Sequence, residues 1–295
     1  MNLPKLIVII GPTSSGKTSL AIKLAKKFNG EIVSADSRQI YKELSIGSSK
    51  VTPKEAQGIK HYLIDIVSLK ENFSAQQFKE LAIRAIREII KKGKVPFLVG
   101  GTGFYVQAVV DNLIFPKIEP NNELRKNLNT YPSFLLFKIL QILNPQRAKQ
   151  IDQNNKRRLI RAIEISQINP QAKLKKGKPI FQTLILGIDQ NREDLNKAIE
   201  KRFNVWLKQG FLDEVKKLME NYKEEDLKEI GLHYYWAYLY LIGFIDYETF
   251  IKKSLISLKN YAKRQLTWFK RDNRVIWIKN YSQAQKLVKK FLEIN

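Results

Sequence analysis

Short apolar runs alternate with stretches in which apolar residues recur every three or four positions, and this rhythm organises the first third of the chain. Residues 5–10 predict a fully buried strand. Leu20, Ala21, Leu24, Ala25 and Phe28 then mark one face of a helix over 17–28, which Asn29-Gly30 ends. A second strand is expected over 31–34 and a third over the apolar run 61–67. Ser74-Ala75-Gln76-Gln77, with Phe73 before it, reads as a capping box opening a helix to about residue 92. The run 95–99 is a fourth strand. Strand alternating with helix predicts an α/β fold with a parallel sheet flanked by helices on both faces. Ligands of such sheets bind beyond the carboxyl ends of the strands. The polar loops 11–18, 36–39 and 100–103 fall at those ends.

The rhythm breaks at Phe115-Pro116, Glu119-Pro120 and Asn121-Asn122, a linker-like stretch. From 123 to 166 the spacing is helical. Asn169-Pro170 and a basic run over 173–178 follow, closed by Pro179. This predicts a helical insertion domain at 117–180 with a basic loop, set into a core formed by 1–116 and 181–295. Residues 181–188 resume as a strand. Helices are expected over 194–209, 211–221, 232–243 and 247–271, then a short strand at 275–278 and a final helix.

Composition narrows the setting. The sequence holds no cysteine, which excludes disulfides and thiolate metal sites and points to a cytoplasmic protein. The first apolar run is far shorter than the ~20 residues a bilayer needs, so it reads as a strand and not as a membrane or signal segment. The net charge of +24 favours a polyanion, nucleic acid or anionic membrane, although lysine-rich solvated helix faces would produce the same excess.

Gly11-Pro12-Thr13-Ser14-Ser15-Gly16-Lys17-Thr18 matches Gly-x-x-x-x-Gly-Lys-Thr between a predicted strand and a predicted helix, the context of a P-loop NTPase-like fold. Gly11 and Gly16 let the backbone curl so that its N–H groups converge on an anion at the positive end of the helix. Lys17 adds a point charge, and the Thr18 hydroxyl suits a Mg²⁺ ion shared with the phosphates. The loop does not say which phosphate ester is held, or whether a phosphoryl group moves. Asp36 stands after the second strand, where it can be a general base, a hydroxyl or metal ligand, or a turn residue. Thr102, behind Gly100-Gly101, either faces a ligand or caps a helix.

Together with Ser34-Ala35-Asp36-Ser37-Arg38-Gln39, Ile46-Gly47 with Lys50, His61-Tyr62-Leu63-Ile64-Asp65, and Leu98-Val99-Gly100-Gly101-Thr102-Gly103, the chain resembles the tRNA dimethylallyltransferases. Further matches are Asn154, Arg158 with Arg161-Ala162 and Glu164, then Arg202-Phe203, Gly210-Phe211 with Glu214-Val215, and Ala262-Lys263-Arg264-Gln265 with Thr267-Trp268-Phe269. The resemblance runs nearly end to end. It implies transfer of a dimethylallyl group from dimethylallyl diphosphate to N6 of adenine 37 in tRNA, with diphosphate bound by residues 11–18 and Mg²⁺ at Thr18. It further implies catalytic roles for Asp36, Thr102 and Arg202. The tRNA contacts it implies are Asp36, Ser37, Arg38, Gln39, Thr102, Arg157, Arg158, Leu159, Ile160 and Arg161. A monomer without membrane attachment is expected.

The chain departs from the family at Gly231-Leu232-His233, where a permanent cation commonly follows, and at Asn155 and Arg157, which raise the positive charge of the implied RNA face. His233 is either an RNA contact or a structural histidine. Three other readings are a small-metabolite kinase, a transferase using free adenylate as acceptor, and a non-catalytic RNA-binding NTPase.

Overall fold

The computed structural model describes residues 3–293 as two compact units, Leu113–Lys178 and the remainder. In the larger unit β1 (Lys5–Ile10) runs into α1 (Lys17–Lys27), followed by β2 (Gly30–Ser34), the one-turn α2 (Pro53–Ala56), β3 (His61–Tyr62), α3 (Ala75–Lys91), β4 (Val95–Gly100) and α4 (Gly103–Val110). The smaller unit holds α5 (Asn122–Leu128), α6 (Ser133–Leu143), α7 (Pro145–Ala148) and α8 (Lys156–Ile168). The chain then returns through β5 (Gln182–Ile188), α9 (Arg192–Lys208), α10 (Phe211–Met219), α11 (Glu224–Ile230), α12 (Leu232–Leu241), α13 (Tyr247–Phe269), β6 (Val275–Ile278) and α14 (Tyr281–Glu293).

The six strands form one parallel sheet in the order β3-β2-β4-β1-β5-β6. Period-two alternation explains why both faces are dry. Leu6, Val8 and Ile10 of β1 pack with Phe78, Ala82 and Ile86 of α3 and Val106 and Val109 of α4. Ile7 and Ile9 face the other way, onto Ala21 and Leu24 of α1 and Ala284 and Val288 of α14. A third cluster, built from α9 to α13, centres on Phe203, Phe211, Tyr234 and Phe250, all fully buried.

The third expected strand is much shorter than 61–67. Only His61 and Tyr62 pair with β2, because Leu63 (φ 63°) and Asp65 (φ 57°) are left-handed and turn the chain out of the ladder. The released segment bonds instead to the loop after β2: the Asp65 N–H donates to the Gln39 carbonyl and the Ile66 N–H to the Ile40 carbonyl. The capping box at Ser74 forms as expected. The Ser74 hydroxyl accepts from the Gln77 N–H, and the Gln77 side chain accepts from the Ser74 N–H. The helices α2 and α11 have no counterpart in the periodicity, since each is too short to establish one.

In the smaller unit, Leu136 and Leu140 of α6 pack with Leu159, Ile160 and Ile163 of α8. The fully buried Glu164 carboxylate is satisfied by a bidentate Arg125 (2.9 and 2.7 Å), by Arg161 and by the Asn121 N–H at 2.6 Å. Burial alone would raise its pKa, but these donors hold it below the usual carboxylate range.

Candidate active site

The loop after β1 has the backbone its composition asked for. Ser14 (φ 64°) and Gly16 (φ 81°) are left-handed, and no side chain caps α1. The first turn of α1 therefore presents its N–H groups to an incoming anion. At Gly11 a side chain would collide with the Ser15 hydroxyl (2.6 Å), which is buried and lacks a partner. The Lys17 ammonium donates to the Pro12 carbonyl at 3.3 Å and is partly buried. Burial pulls its pKa down to about 8; the negative charge of Asp36 works against that shift, and Arg202 adds to it. Arg202, on α9, is likewise held below its ordinary value by burial, against the fields of Glu55 and Asp36. Two partly buried cations thus share the fields of Asp36, on both, and Glu55, on Arg202 alone.

Lys17, Thr18, Ser34, Asp36, Gln39, His61 and Gly100 line one small cleft, together with the apolar Ile32, Val51 and Val99. Asp36 Oδ1 accepts from the Arg38 N–H at 2.9 Å, a turn bond that fixes the carboxylate and leaves Oδ2 open. Thr102 does not cap α4 with its side chain. Its hydroxyl reaches across to the Asp36 loop, accepting from the Ser37 N–H (2.9 Å) and donating to the Ser37 hydroxyl (3.3 Å). Close approach of these loops requires glycine: a Cβ on Gly100 would lie 2.1 Å from the Ala35 carbonyl oxygen, and one on Gly103 2.1 Å from the Trp268 ring.

Other expected contacts are committed elsewhere. The Gln39 amide donates to the Ser49 (3.0 Å) and Ser48 (3.4 Å) carbonyls and accepts from the Ser34 hydroxyl, so it works as a brace. One Arg38 nitrogen donates to the Glu229 carbonyl. In the smaller unit Arg157 and Arg158 are exposed, but Leu159 and Ile160 are core residues and Arg161 is paired with Glu164. Only the exposed arginines offer side chains to a ligand without dismantling that core. His233 is structural: its ring stacks on Trp206 and Phe211, and Nε2 donates to the Gly47 carbonyl at 3.1 Å. Burial lowers its pKa to about 4. Protons therefore bind the unfolded chain more readily between pH 6.5 and 4, and stability should fall on acidification through that window. An H233Q variant should flatten this part of the melting-temperature profile.

Two residues of the site carried no expected role. His61, which lines the cleft, donates from Nδ1 to the Ile59 carbonyl, and its buried Nε2 is unpartnered. Gln265, on α13, accepts from the Thr13 N–H (2.8 Å) and donates to the Gly101 carbonyl (2.9 Å), which ties the phosphate loop to the glycine pair after β4.

A parallel sheet whose first strand feeds this loop, with a lysine and an uncapped helix end behind it, defines a phosphate-binding α/β protein of the P-loop class. The IPP transferase model matches residues 39–272, and the chain belongs to that family. It is 39% identical to the tRNA dimethylallyltransferase of Halothermothrix orenii over 97% of this chain and 93% of that protein. For the enzyme of the same name from Acetivibrio thermocellus the figures are 40%, 97% and 96%. Among solved structures, the full-length tRNA isopentenylpyrophosphate transferase of Bacillus halodurans superposes with a TM-score of 0.75 at 34% identity, covering 98% of this chain and 97% of that one. A eukaryotic dimethylallyltransferase described as acting on tRNA gives 0.77 at 26% identity, covering 97% and 77%. Membership sets aside the small-metabolite kinase.

Proposed function

We propose that this chain transfers a dimethylallyl group from dimethylallyl diphosphate to N6 of adenine 37 in tRNA, releasing diphosphate. The observation that carries the reading is one cleft lined by Lys17, Thr18 and Asp36 together with the apolar Ile32, Val51 and Val99. Diphosphate needs the cations at one end and the C5 chain needs Ile32, Val51 and Val99 beside it. The adenine amine needs a proton acceptor at the other end.

In the reaction the allylic C–O bond breaks and its electron pair leaves with diphosphate. The N6 lone pair forms the new C–N bond, and the N6 proton passes to Asp36. Lys17, Arg202 and the N–H groups of the loop stabilise charge that grows on the leaving group, so they act more strongly on the transition state than on the bound donor. Thr102 holds the Asp36 loop at the prenyl carbon. A Mg²⁺ ion fits the donor set. Among the described residues no three acidic, histidine or cysteine groups form a protein cage, and Mg²⁺ is ordinarily held by few protein oxygens plus substrate phosphates. The Thr18 hydroxyl would hold it, and the ion would neutralise diphosphate charge. We propose further that the enzyme works as a monomer, since Lys17, Thr18 and Asp36 of one chain line the same cleft. No described helix is long and apolar enough to cross a membrane.

The Lys17 ammonium predicts a pH dependence. Diphosphate favours its protonated form, so affinity should be greatest below about pH 8 and fall up to tenfold per pH unit above it. Calorimetric titration with inorganic diphosphate between pH 6.5 and 9.5 measures this directly. For the acceptor, the exposed Arg157 and Arg158 with the +24 net charge predict RNA affinity that falls with salt. At about −0.7 to −0.9 in log–log slope per phosphate contact, these two arginines should contribute a slope of about −1.5 to −2. The activity itself is tested by incubation with dimethylallyl diphosphate, Mg²⁺ and an unmodified tRNA carrying adenine at 36–38, followed by mass analysis of nucleosides. Prenylation of free AMP in preference to tRNA would replace the assigned acceptor.

A further inference from the structure

The loop between Ser45 and Ser49 makes no contact expected of a substrate site, yet an entire helical layer is spent on holding it. Glu214, in the first turn of α10, accepts three successive backbone N–H groups: Ser45 (2.9 Å) and Ile46 (2.6 Å) on Oε2, and Gly47 (3.1 Å) on Oε1. Oε1 also accepts from the fully buried Tyr234 hydroxyl at 2.8 Å. Gly47 is pressed so closely onto this layer that a Cβ would sit 2.5 Å from the Tyr234 oxygen and 2.6 Å from the Phe211 ring. Its carbonyl is taken by His233, and the Trp206 indole donates to the Ser49 hydroxyl at 3.1 Å. Trp206 lies one turn beyond Arg202 on α9. On its other side the loop is held by Gln39, whose amide grips the Ser48 and Ser49 carbonyls. Gln39 is three residues from Asp36, and the turn between them is closed by the Arg38 N–H on the Asp36 carboxylate.

We infer that Glu214 is a positioning residue for the acceptor side of the reaction, acting through residues 45–49 and Gln39 to set the place of Asp36. The chain of contacts is continuous and polar. Three converging N–H dipoles call for an anion, because a neutral amide can offer acceptors to only part of the set and turns its own N–H group against the rest. None of these contacts involves the phosphate loop, which is braced separately by Gln265. Loss of the Glu214 anchor should therefore separate the two substrates.

The inference rests on the tRNA reading given above, and its test is arranged to fail separately. In E214Q, amide exchange measured on the free protein should quicken about tenfold or more at Ser45–Gly47, as expected for lost hydrogen bonds to a charged acceptor, with α3 and β1 unchanged. Steady-state kinetics should show kcat/KM for tRNA lowered by a similar factor, while KM for dimethylallyl diphosphate stays within about twofold. Y234F removes one donor and keeps the three N–H contacts; it should shift the same quantities in the same direction by about two- to threefold. An E214Q enzyme with unaltered exchange at 45–47 overturns the inference, as does equal damage to both substrates. If tRNA is not the acceptor, the exchange result stands and only the kinetic split is lost.

Discussion

Asp36→Ala lowers turnover by about 10²- to 10⁴-fold, the usual worth of a positioned general base, and leaves diphosphate affinity within about twofold. Two features of the site separate these effects. Asp36 bonds to its own loop and not to the phosphate loop, since Oδ1 accepts from the Arg38 N–H. Its influence on the phosphate end is the field it exerts on Lys17 and Arg202, which raises both pKa values against burial. Removing the carboxylate therefore makes the Lys17 ammonium harder to protonate, and diphosphate affinity at high pH should suffer slightly more than at pH 7. Asp36→Asn keeps the turn acceptor but cannot take a proton, so it should match alanine in turnover while preserving the loop. Single-turnover prenylation with both substrates saturating isolates the chemical step. Retention of a tenth of the wild-type rate in Asp36→Asn would mean that the proton leaves to solvent.

Much of this site could be read from the chain because its chemistry is local. The phosphate loop, the strand before it and the helix after it are one continuous segment, and the left-handed Gly16 lies inside the motif that announces it. Asp36 and Thr102 were legible as loop residues at strand ends, but their relation was not. Thr102 bonds to Ser37 across 65 residues of sequence; it is also the N-cap residue of α4, as the local alternative had it, but its side chain makes no cap bond. Where periodicity misled, backbone conformation overrode hydrophobicity: the run 61–67 is apolar enough for a strand, yet Leu63 and Asp65 adopt positive φ. In the smaller unit, the resemblance implied a continuous RNA-facing stretch over 157–161. Helical geometry divides it, because residues two apart point to different sides and Leu159 and Ile160 belong to the core. Gln39, expected as a ligand contact, lines the cleft and also acts as a brace. An amide can satisfy two backbone carbonyls as readily as a base, and the carbonyls it meets come from a loop whose course only tertiary structure defines.

Gln265→Ala should be among the most damaging substitutions outside the cleft. Its side chain is buried, and its two ends satisfy the Thr13 N–H and the Gly101 carbonyl, one on each of the loops that meet over β1 and β4. Truncation strands both groups away from water at about 1–3 kcal/mol each. It also opens a void beside Gly101, where a Cβ would otherwise lie 2.2 Å from the Gln265 amide nitrogen. The stability loss is thus about 2–6 kcal/mol, with the upper end reached if water cannot enter. The functional loss has a different origin. Thr13 precedes the left-handed Ser14 that helps curl the phosphate loop, so freeing its N–H loosens the cradle that must be ready before charge develops on the leaving group. Diphosphate affinity and turnover should both fall, turnover by about 10²-fold, in contrast to the one-sided effect of Asp36→Ala. Gln265→Glu distinguishes packing from polarity. A carboxylate fills the same volume and still accepts from Thr13, but it faces the Gly101 carbonyl without a proton to donate. If the amide donor matters, Gln265→Glu recovers part of the melting temperature at low pH, where its carboxyl is protonated, and loses it as the pH rises. A pH-independent melting temperature equal to that of wild type would show that the Gly101 bond contributes nothing.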